Sequence, residues 1–177
     1  MDEDIPGDPE QDLGDPESVA RAICLRLLTQ RARSRTELAD ALRKRGVPDE
    51  AAESVLDRFV EVGLIDDAAL AAGLAAAQHQ ERGLARRAVA VKLRQRGLAN
   101  EADTALACID ADSERAKARE LVARRRLALA GLPPDVQARR LVGLLARKGY
   151  SPGLSYGIVK ELLAGADGWQ PGDESPD

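Results

Sequence analysis

Leu42-Arg43-Lys44-Arg45-Gly46, Leu93-Arg94-Gln95-Arg96-Gly97 and Leu145-Ala146-Arg147-Lys148-Gly149 are three copies of one phrase, closed by glycines 51 and 52 residues apart. A near-constant period of this length marks a repeat architecture. Four positions before each leucine stands another apolar residue, Leu38, Val89 or Leu141. That spacing puts the two on one face of a helix, with basic residues around the rest of it. The glycine then stops the helix, because the residue past a helix end commonly takes φ > 0, which costs glycine little. Lysine or arginine in the last turn suits the exposed carbonyls there. An apolar residue follows each glycine (Val47, Leu98, Tyr150), as expected if the chain turns back onto its own helix.

Stop and start signals around each phrase predict three helices per copy. In the first copy Asp15-Pro16 opens a helix with Ile23, Leu27 and Leu28, and Ser34-Arg35-Thr36-Glu37 has capping-box spacing and opens the second. Pro48 sits in the first turn of a third, which carries Val55, Leu56, Phe59 and Val62 and stops at Gly63. The second copy predicts helices from Asp66 or Asp67 to about Glu81, from Leu84 to Arg96, and one capped by Asn100. The third predicts a long helix from about Asp112 to Ala130, one from Pro133-Pro134 to Lys148, and one opened by Ser151-Pro152 and closed by Gly165. Strand-like alternation is missing and β-branched residues are sparse beside alanine, leucine and arginine. The expected fold is all-α, with repeats at 18–65, 66–111 and 112–164 stacked as an elongated rod that can curve.

The formal net charge of −4 conceals a division by region. Residues 1–17 hold eight acids and 165–177 hold four, with no base in either, so 18 acids face all 26 bases in between, a balance of +8. Both ends also carry Pro, Gly and Asp with little to bury and are expected to be disordered acidic tails. There is no apolar run long enough for a membrane span, and the N-terminus is acidic where a signal peptide would be basic. Cys24 and Cys108 are 84 residues apart, on apolar stretches, and form neither a disulfide framework nor a metal site. A reducing, cytoplasmic setting is expected.

Groups that carry catalysis are scarce. The single histidine, His79, has no cysteine or second histidine nearby to share a metal and reads as a surface residue. No phosphate-cradling glycine loop, dinucleotide fingerprint or nucleophile elbow occurs, and most carboxylates fall at helix starts, where the dipole and free amides account for them. The chain reads as a binding protein without cofactor, metal or small-molecule substrate.

What it binds should be anionic. Beyond the phrase itself (Arg43, Lys44, Arg45; Arg94, Arg96; Arg147, Lys148), basic residues gather at Arg31, Arg33 and Arg35, at Arg82, Arg86 and Arg87, at Arg124–Arg126 and at Arg139-Arg140. Arg115, Arg119 and Arg126 fall at offsets 0, 4 and 11 on the seventh helix, a stripe able to track phosphates. Arginine outnumbers lysine 21 to 5, and its planar fork suits bidentate contact with phosphate or carboxylate. Phe59, Tyr150 and Tyr156 all have core explanations and Trp169 lies in the acidic tail. Base stacking is therefore not expected, and contact with nucleic acid should run through the backbone and weaken with salt.

Taken in order, these residues resemble RecX, the bacterial regulator of the recombinase RecA, over about residues 18–164. The resemblance rests on Ala22-Ile23-Cys24-Leu25-Arg26-Leu27-Leu28, on Ser34-Arg35-Thr36-Glu37-Leu38 leading to the first phrase, and on Val55-Leu56 and Val62-Gly63-Leu64-Ile65-Asp66-Asp67. Arg86-Arg87 ahead of the second phrase completes it. It implies a rod of three-helix units that binds RecA, lies along the groove of its filament on single-stranded DNA, and hinders filament growth, ATP hydrolysis, strand exchange and co-protease activity. That role belongs to DNA repair, recombination and the SOS response. The expected contacts are Arg43, Lys44, Arg45, Arg86, Arg87, Arg94, Arg96, Arg115, Arg119, Arg126, Arg147 and Lys148, with the middle repeat's Arg86, Arg87, Arg94 and Arg96 foremost, and a monomer is the expected state. The chain departs from the resemblance at Leu70, where such proteins usually carry an aromatic residue, and at Ala75, Ala76, Gln78 and Gln80, where they often carry arginine. Two other readings stand beside it: a helix-turn-helix DNA-binding domain over Ser34–Asp67, which would be sequence-specific, and a helical scaffold whose basic surface is incidental.

Overall fold

The computed structural model describes residues 14–164, and these residues contain nine α-helices, one 3₁₀ turn and no strand. In chain order the helices are α1 (Pro16–Gln30), α2 (Arg35–Arg43), α3 (Asp49–Glu61), α4 (Asp67–Gln80), α5 (Arg86–Gln95), α6 (Ala102–Ala105), α7 (Ala111–Leu127), α8 (Pro134–Arg147) and α9 (Pro152–Ala164). The 3₁₀ turn, Leu106–Cys108, follows α6. The tails as read from the sequence lie outside the described residues except at Gly14–Glu17, where α1 already begins at Pro16. Trp169 and Gly165 also lie outside them.

The start signals at Asp15 and at Ser34 with Glu37 act as expected, whereas Pro48 is the N-cap of α3 rather than a first-turn residue and α7 begins at Ala111 rather than Asp112. Asp15 caps α1 by accepting from the Ser18 amide at 3.2 Å. Ser34 and Glu37 close a reciprocal capping box on α2, Glu37 N–H to Ser34 Oγ at 3.1 Å and Ser34 N–H to Glu37 Oε2 at 3.1 Å. Asp110 caps α7 through the Ser113 amide at 2.7 Å, and these bonds hold its carboxyl below its ordinary range.

The phrase builds the core. Leu38, Leu42, Val89, Leu93, Leu141 and Leu145 are all fully buried, and Val47, Leu98 and Tyr150 after the glycines are buried too. Gly46, Gly97 and Gly149 take φ of 75°, 72° and 89°. In the first and third copies the turn is closed by paired bonds, Gly46 N–H to Arg43 O and Val47 N–H to Leu42 O, then Gly149 N–H to Ala146 O and Tyr150 N–H to Leu145 O. This is the geometry in which a left-handed residue returns the chain onto the helix it leaves.

Contacts gather the described residues into two units, one of residues 14–71 with 94–101 and one of residues 72–93 with 102–164. The first unit's core joins Ala20, Cys24, Leu27, Leu38, Leu42, Val55, Leu56, Phe59 and Ile65 from α1, α2, α3 and the turn after α3. The second unit's core joins Ala118 and Val122 of α7, Leu141 and Leu145 of α8, Tyr150, and Ile158, Val159 and Leu163 of α9. The first core draws on α1, α2 and α3, and the second on α7, α8 and α9.

Several side chains depart from the sequence reading. His79 is 1% exposed rather than on the surface, because α4 buries the face Ala71, Ala75, His79 at spacings of four. Its Nδ1 lies 2.8 Å from the Leu84 carbonyl and its Nε2 has no partner among the described residues. Val62 is 51% exposed because it is the C-cap of α3 and has left the helix stripe, and Tyr156 is 63% exposed because it sits on the outer side of α9. Cys108 is exposed on the 3₁₀ turn while Cys24 is buried. The helix expected after Asn100 is reduced to α6 and that turn, whose carbonyls at Leu106 and at Ile109 just beyond it are taken by the Arg86 guanidinium.

Candidate basic interface

The phrase interlocks each later copy with the one before it. In the first unit the Arg96 carbonyl accepts from Ser34 Oγ at 2.6 Å, and the Arg96 guanidinium grips Glu37 (Nη2 to Oε2 2.7 Å, Nε to Oε1 3.1 Å) and the Ala32 carbonyl at 3.0 Å. Arg31 adds a second pair to Glu37 at 2.9 Å. Burial would raise the Glu37 carboxyl, but the bonds from Arg96, Arg31 and the Ser34 amide outweigh it and hold the pKa down at about 2. In the second unit the equivalent carbonyl, Lys148 O, accepts from the Ala85 amide at 2.9 Å, and Lys148 Nζ donates to the Arg82 carbonyl. Tyr150 Oη donates to the Gly83 carbonyl at 3.1 Å, and burial pushes its ionisation up.

The same close approach makes two of the three phrase glycines doubly necessary. A Cβ on Gly97 would lie 2.4 Å from Thr36 Cβ, and one on Gly149 would lie 2.7 Å from Ala88 Cβ. At Gly46, which has no earlier copy to dock on, nothing lies within 4 Å.

These contacts sort the sequence-predicted residues. Arg86 holds the end of the α6 segment through the Leu106 and Ile109 carbonyls, while its own amide donates to Glu114 at 2.8 Å. Arg96 and Lys148 are engaged in the interlock. Arg119 makes a forked pair with Glu161 on α9 at 2.6 and 2.9 Å, Arg115 reaches the same carboxylate at 4.0 Å, and Arg126 donates to the Leu162 carbonyl at 2.8 Å. The stripe at 115, 119 and 126 therefore clamps α9 onto α7. Arg43 pairs with Asp40 at 2.7 Å and Arg45 donates to the Ala41 carbonyl at 2.8 Å, both on the exterior. Arg35, the counterpart of Arg86 one repeat earlier, ties the start of α2 to Glu53 and Asp57 of α3.

Lys44, Arg87, Arg94 and Arg147 have no partner among the described residues, and all four are exposed. Arg87, Val91 and Arg94 lie at i, i+4 and i+7 on α5, and Val91 is 40% exposed, so this helix carries an outward stripe of two cations about an apolar residue. Lys44 and Arg45 border a shallow hollow with Arg33, Glu37 and Asp40, in which acids balance part of the charge. Arg147 borders a different hollow with Arg125, Arg139 and Arg140, the last three named in the sequence only as clusters.

Among the described residues no group of three or more His, Cys, Asp or Glu side chains could hold a metal ion, and no helix is long and apolar enough to cross a membrane. What remains is an all-α protein that carries exposed arginines without partners among the described residues. The family description "RecX, first three-helix domain" matches residues 20–59. The regulatory protein RecX of Thermobifida fusca is 53% identical over 161 residues, covering 89% of this chain and 85% of that protein. The regulatory protein RecX of Streptomyces lividans is 51% identical over 171 residues, covering 95% and 89%. The chain belongs to the RecX family of regulatory proteins. Its fold is similar to the crystal structure of RecX from Lactobacillus salivarius, with a TM-score of 0.73 at 19% identity, over 84% of this chain and 97% of that one.

Proposed function

We propose that this chain is a non-enzymatic regulator of a RecA recombinase that binds RecA and its filament on single-stranded DNA and hinders filament extension, ATP hydrolysis and strand exchange. The observation that carries the reading is kinship with regulatory RecX proteins across nearly the whole chain, at 53% and 51% identity. The electrostatics support it: the 18–164 segment balances at +8, and arginines such as Arg87 and Arg94 stand outward without an internal acid. Guanidinium groups free of internal partners suit both phosphates and a carboxylate-bearing protein surface, and Val91 between them supplies apolar area that phosphate contact alone does not use. The regulator acts in the cytoplasm as a monomer, with three repeats over 18–65, 66–111 and 112–164 and no cofactor.

Within the candidate set, Lys44, Arg87, Arg94 and Arg147 are the contact residues. Arg86, Arg96, Arg119 and Lys148 support the fold that presents them. The test is binding of the labelled protein to RecA filaments on single-stranded DNA, to the naked strand and to duplex DNA. Preference for the filament is expected. Preference for one duplex sequence would instead support the helix-turn-helix reading, and affinity for none of the three would leave a scaffold.

A further inference from the structure

We propose that the hollow between α7 and α8 is a binding site for closely spaced phosphate groups, a proposal that goes beyond the regulator reading and does not depend on it. Arg125 of α7 and Arg139, Arg140, Gly143, Leu144 and Arg147 of α8 line an open hollow of about 610 Å³. Among the described residues no carboxylate lines it. Arg125, Arg140 and Arg147 have no acid partner among the described residues, and Arg139 has only an exterior pair with Asp135 at 3.4 Å. Four arginines on the lining of one hollow repel one another, whereas within the same unit Arg119 is neutralised by Glu161 at 2.6 Å. Unpaired charge also occurs at Arg87, but here several basic side chains share one hollow.

The floor is built for access. Residues 139, 143 and 147 share one face of α8 at spacings of four, and the middle one is glycine. A Cβ at Gly143 would lie 3.3 Å from Arg147 Nη1, so the Arg147 guanidinium rests close over the glycine and would have to shift slightly for a larger residue. Glycine in a helix interior is unfavourable for the helix itself, so the local fold does not explain it. Both walls are helices, whose backbone groups are bonded internally, so no sheet edge pairs a peptide, and among the described residues no aromatic ring lines the hollow to stack a base. Recognition falls to charge and the guanidinium fork, which phosphate answers with several acceptor oxygens and high charge in a small volume. Two or three phosphates of an oligophosphate, or successive phosphates of a nucleic-acid strand, fit that description.

The full-length protein tests this with inorganic tripolyphosphate and a fluorescent single-stranded oligonucleotide of mixed sequence at low salt. Arg140→Gln with Arg147→Gln should weaken binding of at least one probe by about tenfold. Gly143→Leu, which changes no charge, should weaken the same probe while far-UV dichroism is retained. Arg58→Glu, on α3 and paired to Glu61 at 2.6 Å, removes the same net charge elsewhere and should leave binding unchanged. Tripolyphosphate displacing the oligonucleotide would identify the strand backbone as occupant, and tripolyphosphate binding without displacement would identify a free oligophosphate; both sustain the site. Equal binding by wild type and the double variant, or an equal loss with Arg58→Glu, would overturn it. The readout involves no RecA, so failure here is distinct from failure of the regulator reading.

Discussion

Helices α2 and α8 are built on the same phrase, bury the same pair of residues and end in the same left-handed glycine, yet they present opposite faces. At equivalent repeat positions α2 and the turn after it carry Thr36, Asp40 and Lys44, whereas α8 carries Arg139, Gly143 and Arg147. Asp40 neutralises Arg43 on the first; nothing among the described residues neutralises Arg147 on the second. In α5 the same positions are Arg87, Val91 and Gln95, between the two extremes. The phrase keeps its buried apolar pair while its outer positions vary, so the packing of this helix is common to the three copies and its surface charge is not.

The copies also differ in how tightly their glycines are held, and substitution should expose this with the largest effects. Gly97→Ala should cost about 3 kcal/mol, from a left-handed residue gaining a Cβ and from the collision with Thr36. Gly46→Ala, with the same φ but open space, should cost only about 1 kcal/mol. Urea melts of the two variants measure the difference, and equal costs would mean that the interlock at Thr36 is not tight.

Adjacent arginines should separate next. Arg86→Ala strips two buried-side carbonyls of their donor and should cost about 2 kcal/mol, whereas Arg87→Ala should stay within roughly 0.5 kcal/mol. A double reversal at 86 and 87 thus confounds contact with stability, and Arg87→Glu with Arg94→Glu is the cleaner probe of binding. Its melt should match the wild type.

A smaller effect concerns acid. Because Glu37 is depressed in the folded state to about 2 from an ordinary 4.5, its contribution is fully present above pH 4.5 and is lost as pH falls toward 2. After allowance for solvent screening this amounts to roughly 1–2 kcal/mol. Glu37→Gln should flatten that part of the stability curve between pH 5 and 2, and an unchanged acid slope would show that Arg96 and Arg31 do not hold the carboxylate. Tyr150→Phe should cost about 1 kcal/mol by leaving the Gly83 carbonyl without its donor, read from the shift in urea midpoint.

The helices and their caps were legible because they rest on local rules: Asp15, Ser34 with Glu37, and the phrase glycines each act on neighbours within a few residues. The buried stripe of the phrase was legible for the same reason. The employment of the arginines was not, since Arg96 to Glu37 and Arg119 to Glu161 join residues 59 and 42 apart. Arg115, Arg119 and Arg126 do form a stripe, but that stripe faces α9, and a helix wheel alone does not say which face is covered. His79 could have been placed inside from its spacing of four from Ala75 and eight from Ala71. The hollow at Arg125, Arg139, Arg140 and Arg147 was visible only as clusters, because its concavity arises from two helices that the sequence separates.

The central claim is tested most directly by the rate of ATP hydrolysis by RecA of the same organism on single-stranded DNA, with this protein added at far less than one molecule per RecA. Inhibition at such ratios, relieved by Arg87→Glu with Arg94→Glu, is the predicted result. An unchanged rate even at equal concentrations would contradict the account.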